Sequence, residues 1–387
     1  MVAPSVSRPA AAAPGYDEEP RGVPRGRLLS LDALRGLTIA AMILVNNPGS
    51  QHTVYPPLRH AAWHGWTPAD LIFPFFLFIM GISTALSLDT RQHNGQGRRA
   101  LLRHIALRSS ILILLGLLLN GLFFLPFDHV RFPGVLQRIG IVYFCSALIV
   151  MATGRRARTI LTVALLLSYW ALLMLVPVPG HGAGDLSPAG NLASYVDVRL
   201  MTGHMWTQTF DPEGILSTLP AIATALLGTL TAGWLRSARQ PKQILLKLLA
   251  AGAAGLMLGE IWNIWFPINK TLWTSSYVVF TAGFGLLALA ACYWFMDVQR
   301  WRGWALPLVA LGMNPLVIYA GSEALGGSLI EFRWPGMHHS MHQWVYRHLL
   351  AGVAAAPMAS LLWALAYLAA WWAVAWIMYR NTIFIRL

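Results

Sequence analysis

Asp70-Leu71-Ile72-Phe73-Pro74-Phe75-Phe76-Leu77-Phe78-Ile79-Met80-Gly81-Ile82-Ser83-Thr84-Ala85-Leu86-Ser87-Leu88 opens on one acid and then runs to its end without another charge. A helix of this length covers a ~30 Å hydrocarbon core at 1.5 Å per residue. Working outward, similar stretches cover 30–48, 101–124, 133–152, 159–178, 214–235, 243–263, 274–296, 304–325 and 358–379. With 69–88 they predict an all-α membrane protein, a polytopic bundle of about ten transmembrane helices. A charge left at a helix centre costs on the order of 2.5–3.5 kcal/mol. The places where such charges gather are therefore where function is to be sought.

Composition agrees: 56% of residues are hydrophobic and 11% charged, against about 25% charged in soluble domains. The net charge of +13 raises the question of nucleic acid. The basic residues instead sit in short loops between apolar runs, and no basic stripe or nucleic-acid motif is present. Cys145 and Cys292 lie inside spans, which argues against a disulfide, and no metal-ligand spacing occurs. Residues 1–26, rich in Pro, Ala and Arg, read as a disordered cytoplasmic tail, leaving 27–387 as a single transmembrane domain.

Loop charges set an orientation. With the N-terminus in the cytoplasm, nineteen Lys and Arg fall inside, and six fall outside: Arg59, Arg131, Arg199, Lys270, Arg333 and Arg347. Arg35, Arg108 and Arg138 lie within spans. The positive-inside rule then predicts both termini in the cytoplasm and the two long loops, 179–213 and 326–357, on the other side.

That orientation gathers polar residues at the outer ends of the spans. Asn46 and Asn47 close the first span, Asp70 opens the second, and Asn120 ends the third. Gln137 and Arg138 lie one turn into the fourth; Glu260 and Asn263 end the seventh, and Glu323 ends the ninth. The plain alternative is a set of interfacial caps. Arg138 argues against it, since a buried cation needs a partner, with Asp70, Asp128, Glu260 and Glu323 as candidates. A second group lies at the inner ends: Asp32 and Arg35, three apart on one helical face, with Arg103, Arg108 and Lys247. It reads either as an ion pair with flanking cations or as a vestibule for a phosphorylated ligand.

Several motifs occur in one order along the chain. Arg27-Leu28-Leu29-Ser30-Leu31-Asp32-Ala33-Leu34-Arg35-Gly36 resembles the entry motif of transmembrane acyltransferases. Arg59-His60-Ala61-Ala62-Trp63-His64-Gly65-Trp66-Thr67-Pro68-Ala69-Asp70 resembles the heparan-α-glucosaminide N-acetyltransferase branch and its bacterial sugar-acetylating members. Gly134-Val135-Leu136-Gln137-Arg138-Ile139-Gly140, Asp211-Pro212-Glu213-Gly214, Pro267-Ile268-Asn269-Lys270-Thr271-Leu272-Trp273 and Gly312-Met313-Asn314-Pro315-Leu316 extend the match across 27–387. The resemblance implies acetyl-CoA on the cytosolic side, an amino-sugar acceptor on the other, and no metal. It implies a catalytic His60 supported by Asn46, a bacterial inner (cytoplasmic) membrane as location, membrane lipid around the bundle, and a homodimer as a family-level expectation. Arg35, Asp32, Arg138, Gln137 and Asn314 become the candidates for holding acetyl-CoA. Trp63, Trp66, Glu260 and Glu323 become the candidates for the sugar.

The chemistry fits these residue types. Acetyl transfer needs an amine stripped of its proton and a stabilised tetrahedral oxyanion. Imidazole, with a reference pKa of ~6.5, suits the first task; a covalent acetyl-imidazole on His60 is the two-step alternative. The Asn46 amide suits oxyanion stabilisation or orientation of His60. Asp70 either fixes the imidazole tautomer or caps the second span. Trp63 and Trp66 either stack on a sugar or belong to the interfacial aromatic belt. Asp211-Pro212-Glu213 reads as a helix cap with Pro at the first position, and Asn314-Pro315 as a kink that opens space for pantetheine. His64 and the histidines of the outer loops read as solvated or interfacial. O-acetylation of an envelope glycan is the nearest alternative activity. A secondary transporter is the competing class, but the later half holds no second copy of the Asp32–Asp70 pattern, as repeat-built transporters would.

Overall fold

The computed structural model describes residues 28–122, 125–237, 240–333, 339–350 and 352–385. The expected tail over 1–26 lies outside the described residues, as do Arg27, Arg239, His338 and Arg386. The described chain is helical: α1 Leu29–Asn46, α2 Ile72–His93, α3 Arg98–Leu119, α4 Val135–Ala152, α5 Arg155–Leu175, α6 Leu192–Met201, α7 Thr218–Leu235, α8 Pro241–Asn263, α9 Ser275–Tyr293, α10 Leu306–Met313, α11 Pro315–Glu331, α12 Met341–Leu349 and α13 Ala356–Arg380. Among these residues nine helices are long and apolar enough to cross a membrane, and a bent pair, Gly303–Met313 with Pro315–Glu331, makes the tenth. The chain is a multi-pass membrane protein, and each of the ten stretches read from the sequence corresponds to one of these spans.

Local chemistry sets the breaks. Asn47 precedes Pro48 and leaves the helical region at φ −121°, ψ 56°, because a proline ring crowds the α conformation of the residue before it. Asn314, before Pro315, adopts φ −125°, ψ 50°, and the chain turns by 69° there. The Thr67 hydroxyl and the Asp70 carboxylate form a reciprocal capping box, with Pro68 in the first turn, and so start the second span.

More than half of the α1, α2, α7 and α9 spans is buried, and less than a quarter of α5, α8 and α13. The first set forms the centre and the second the lipid-facing wall. Glycines bring the central backbones together, as expected where lipid removes the hydrophobic drive for helix association. A Cβ on Gly312 would sit 2.0 Å from the Asp32 carbonyl oxygen, and one on Gly81 2.0 Å from that of Ala225. These approaches lock α10 to α1 and α2 to α7.

The Asp32 end of the bundle is held by polar ties. Arg35 Nη1 donates to Asp32 Oδ1 at 2.7 Å and to the Gly312 carbonyl at 3.3 Å, while Nη2 donates to Ser83 Oγ at 2.7 Å. One guanidinium thus joins α1, α2 and α10. Asn314 Nδ2 donates to the Ile383 carbonyl, and its Oδ1 accepts the Ile385 N–H, both at 2.9 Å. The expected kink is present, but both polar atoms of the Asn314 side chain are engaged by the segment that follows α13.

Candidate active site

The opposite end carries His60. Its loop is fixed at three points. Thr67 Oγ1 donates to the Arg59 carbonyl at 2.8 Å, Gly65 N–H to the Ile268 carbonyl at 2.8 Å, and Trp63 Nε1 to the Leu186 carbonyl at 2.8 Å. The loop 264–274 is equally constrained. Asn269 is fully buried, its Oδ1 accepts the Leu272 N–H, and its side chain reaches His64 Nδ1 at 3.3 Å. Trp273 takes a left-handed φ of 53° and is buried against Phe73 and Tyr277. Two irregular segments 200 residues apart therefore meet on packed supports.

At their junction His60 Nδ1 lies 2.7 Å from Asp70 Oδ1. Asp70 is 1% exposed. Its Oδ2 accepts the backbone N–H groups of Ala61 and Thr67, both at 3.0 Å, and lies 3.2 Å from Thr67 Oγ1. Tyr277 donates its hydroxyl to the Asp70 carbonyl at 2.5 Å, fastening the acid to α9. A carboxylate so supplied with donors is an acceptor toward His60. In a neutral imidazole, such an acceptor favours the tautomer with the proton on Nδ1 and a lone pair on Nε2. The helix-cap contacts run through Asp70 Oδ2, and Oδ1 is the oxygen that faces His60 Nδ1.

Lys270 completes the group, and reasoning from residue types alone passed over it. Its Nζ lies 3.1 Å from His60 Nδ1, 3.2 Å from Nε2 and 3.7 Å from Asp70 Oδ1. Burial pushes its ammonium below the ordinary lysine range, against the pull of Asp70 and Glu213. The available signals were its place among the six outer cations and within the Pro267–Trp273 motif.

Other expected residues are distributed around this centre. Asn46 donates to Glu323 Oε1 at 2.9 Å, and among the described residues no hydrogen bond joins it to His60. Glu260 is exposed and accepts from Asn263 at 3.3 Å, apart from the cluster. Trp66 packs on Phe280 and Phe284 of α9. Trp63 packs edge-on to Phe210 with ring centroids 5.2 Å apart.

Arg138 differs from expectation in its partners. It is 1% exposed, and none of Asp70, Asp128, Glu260 or Glu323 pairs with it. Its Nη2 donates to the Gly214 carbonyl at 3.0 Å and Ser217 Oγ at 2.5 Å, and its guanidinium lies 5.1 Å from the centre of the Trp273 ring. Glu213, Asp211 and Asp197 supply the nearby negative charge. Arg138 Nε and Nη1 and Gln137 Nε2 are buried without a hydrogen-bond partner among the described residues.

The Asp211–Glu213 segment also corrects a reading. It does not cap α7, which begins at Thr218. Asp211 instead takes Arg131 through both oxygens, at 2.9 and 2.6 Å, and Glu213 takes the same guanidinium at 2.5 Å. A forked cation and a planar carboxylate match better than a cap six residues before Ser217, the N-cap position of α7.

A family model described as heparan-alpha-glucosaminide N-acetyltransferase, catalytic, matches residues 27–260. Heparan-alpha-glucosaminide N-acetyltransferase of Homo sapiens is 31% identical over 416 residues, which cover 92% of this chain and 59% of that protein. The Mus musculus protein of the same name is 30% identical over 427 residues, 95% of this chain and 62% of its own length. The chain thus spans about three fifths of the length of these curated relatives. The matched region carries α1 to α7, most of α8 and the His60–Asp70 pair, and on this match the chain belongs to the heparan-alpha-glucosaminide N-acetyltransferase catalytic family.

Proposed function

We propose that this protein is a membrane acetyltransferase that moves an acetyl group from cytosolic acetyl-CoA to the amine of a glucosamine-type sugar on the other side of a bacterial cytoplasmic membrane. The observation that carries the reading is the His60–Asp70 pair at 2.7 Å, at one end of a transmembrane bundle, in a chain whose relatives are named N-acetyltransferases.

In this reading Asp70 keeps the proton on Nδ1, and His60 Nε2 takes one from the acceptor amine. The amine nitrogen attacks the thioester carbonyl carbon, the carbon–sulfur bond breaks, and the His60 proton passes to the thiolate. Catalytic assistance from a positioned base is typically worth about 10²–10⁴-fold. The unpartnered donors of Arg138 and Gln137 support a role in receiving the acyl-carrying arm. The Asn46–Glu323 pair supports a contact to the sugar or its ammonium group. Arg35, Asp32 and Asn314 already tie helices together, so we assign them the walls of the cytosolic entry.

The test is purified full-length protein with radiolabelled acetyl-CoA and glucosamine. Labelled N-acetylglucosamine should form without an ion gradient. His60→Ala should abolish it while acetyl-CoA binds within a few fold of wild type. Near wild-type turnover in that variant removes His60 from the reaction.

A further inference from the structure

Lys270 holds a charge that its surroundings leave only partly balanced. Among the described residues it meets one carboxylate oxygen within 4 Å, Asp70 Oδ1 at 3.7 Å. Asp70 is already engaged by His60 and by two backbone N–H groups. Glu213 acts on Lys270 only at longer range and is itself bound to Arg131 at 2.5 Å. The lysine side chain is 21% exposed. A cation placed this way sits beside the reactive imidazole with donors to spare, since an ammonium carries three.

Resting on the acetyltransferase reading, we propose that Lys270 is a catalytic residue whose ammonium binds the oxyanion of the tetrahedral adduct. The geometry is specific. Nζ lies 3.2 Å from His60 Nε2. An amine whose proton is taken by Nε2 sits about 3 Å from it. The carbonyl oxygen of the adduct then falls roughly 3–4 Å from the same ring nitrogen, in the shell that Nζ occupies. As the amine attacks, the carbonyl π pair moves onto oxygen, and an N–H of Lys270 meets the new charge. When the adduct collapses, the pair returns, the C–S bond breaks, and the thiolate takes the proton held by His60. The contact strengthens only as charge develops on oxygen, so it acts on the barrier and not on ground-state binding. Asn46, the residue first considered for this role, gives one amide N–H to Glu323, and no hydrogen bond joins it to His60 among the described residues.

The experiment compares Lys270→Met, Lys270→Gln and Lys270→Arg with wild type in the full-length protein. Turnover is measured together with two binding constants. One is for acetyl-CoA; the other is for a bisubstrate phosphonamidate whose tetrahedral P–O⁻ copies the adduct. Lys270→Met and Lys270→Gln should lose ~10²–10³-fold in kcat. They should bind the phosphonamidate at least tenfold more weakly and acetyl-CoA within threefold. Lys270→Arg should recover a measurable part of both losses. An active wild type with kcat within threefold in Lys270→Met overturns this inference alone, as does equal weakening of both ligands, the mark of a merely structural lysine. A wild type that transfers no acetyl group overturns the functional reading, and this one with it.

Discussion

Asp70 is where the residue-scale chemistry is most constrained, because one carboxylate serves a helix start and an imidazole together. Asp197 shows the contrary case, a buried acid with little support. It is 2% exposed, and burial, with Asp211 close by, pushes its carboxyl up to about 6 from 3.8, although the Ile215 N–H and Arg138 oppose the rise. The folded protein therefore holds the Asp197 proton more tightly than the unfolded chain does. The stability this gives is full below the unfolded value and is lost as pH rises through about 6. A displacement of this size corresponds to about 3 kcal/mol. Asp197→Asn keeps an acceptor for Ile215 and cannot ionise. Its thermal midpoint in detergent should therefore not show the decline that wild type shows between pH 4 and 6. Parallel curves for the two proteins would mean that Asp197 is ionised throughout.

At the scale of elements, the join of α1 to α10 depends on what Gly312 lacks. A methyl there would meet the Asp32 carbonyl at 2.0 Å, whereas a Cβ on Gly327, in the neighbouring α11, meets nothing within 4 Å. Gly312→Ala should cost at least ~2 kcal/mol by overpacking, and Gly327→Ala should be neutral or slightly stabilising. Thermal midpoints of the two variants measure the contrast, and equal midpoints would show that α10 shifts freely on α1. The sequence made the spans readable because an apolar run of about 20 residues has one meaning in this composition. It also made the His60–Asp70 neighbourhood readable, since both lie on a single short segment. It could not place Lys270 against His60, because that contact joins residues 210 apart through loops with no regular period. Arg138 misled for a related reason. The charge near it comes from the 197–213 region, which reads as loop and helix cap when taken alone.

For the molecule as a whole, the His60 group and the Asp32–Arg35 pair lie at opposite ends of one bundle, with α1 running from one to the other. Nineteen basic residues against six, read by the positive-inside rule, are the ground on which we propose the Asp32 end as the cytoplasmic one. In sealed, oriented vesicles acetyl-CoA should therefore be used only from the cytoplasmic face, and acetylated sugar should appear on the other. Use of both substrates from the cytoplasmic face would rule out transfer across the bundle. The elbow at Asn314 carries a consequence for how the chain is made. Its side-chain partners, Ile383 and Ile385, are 69 and 71 residues further along. At 5–20 residues per second, a ribosome needs roughly 3–14 s to deliver them after Asn314 has been polymerised. Through that interval α10 and α11 are joined at the membrane by an amide with neither partner yet synthesised, so this elbow is among the last joints to close during biogenesis.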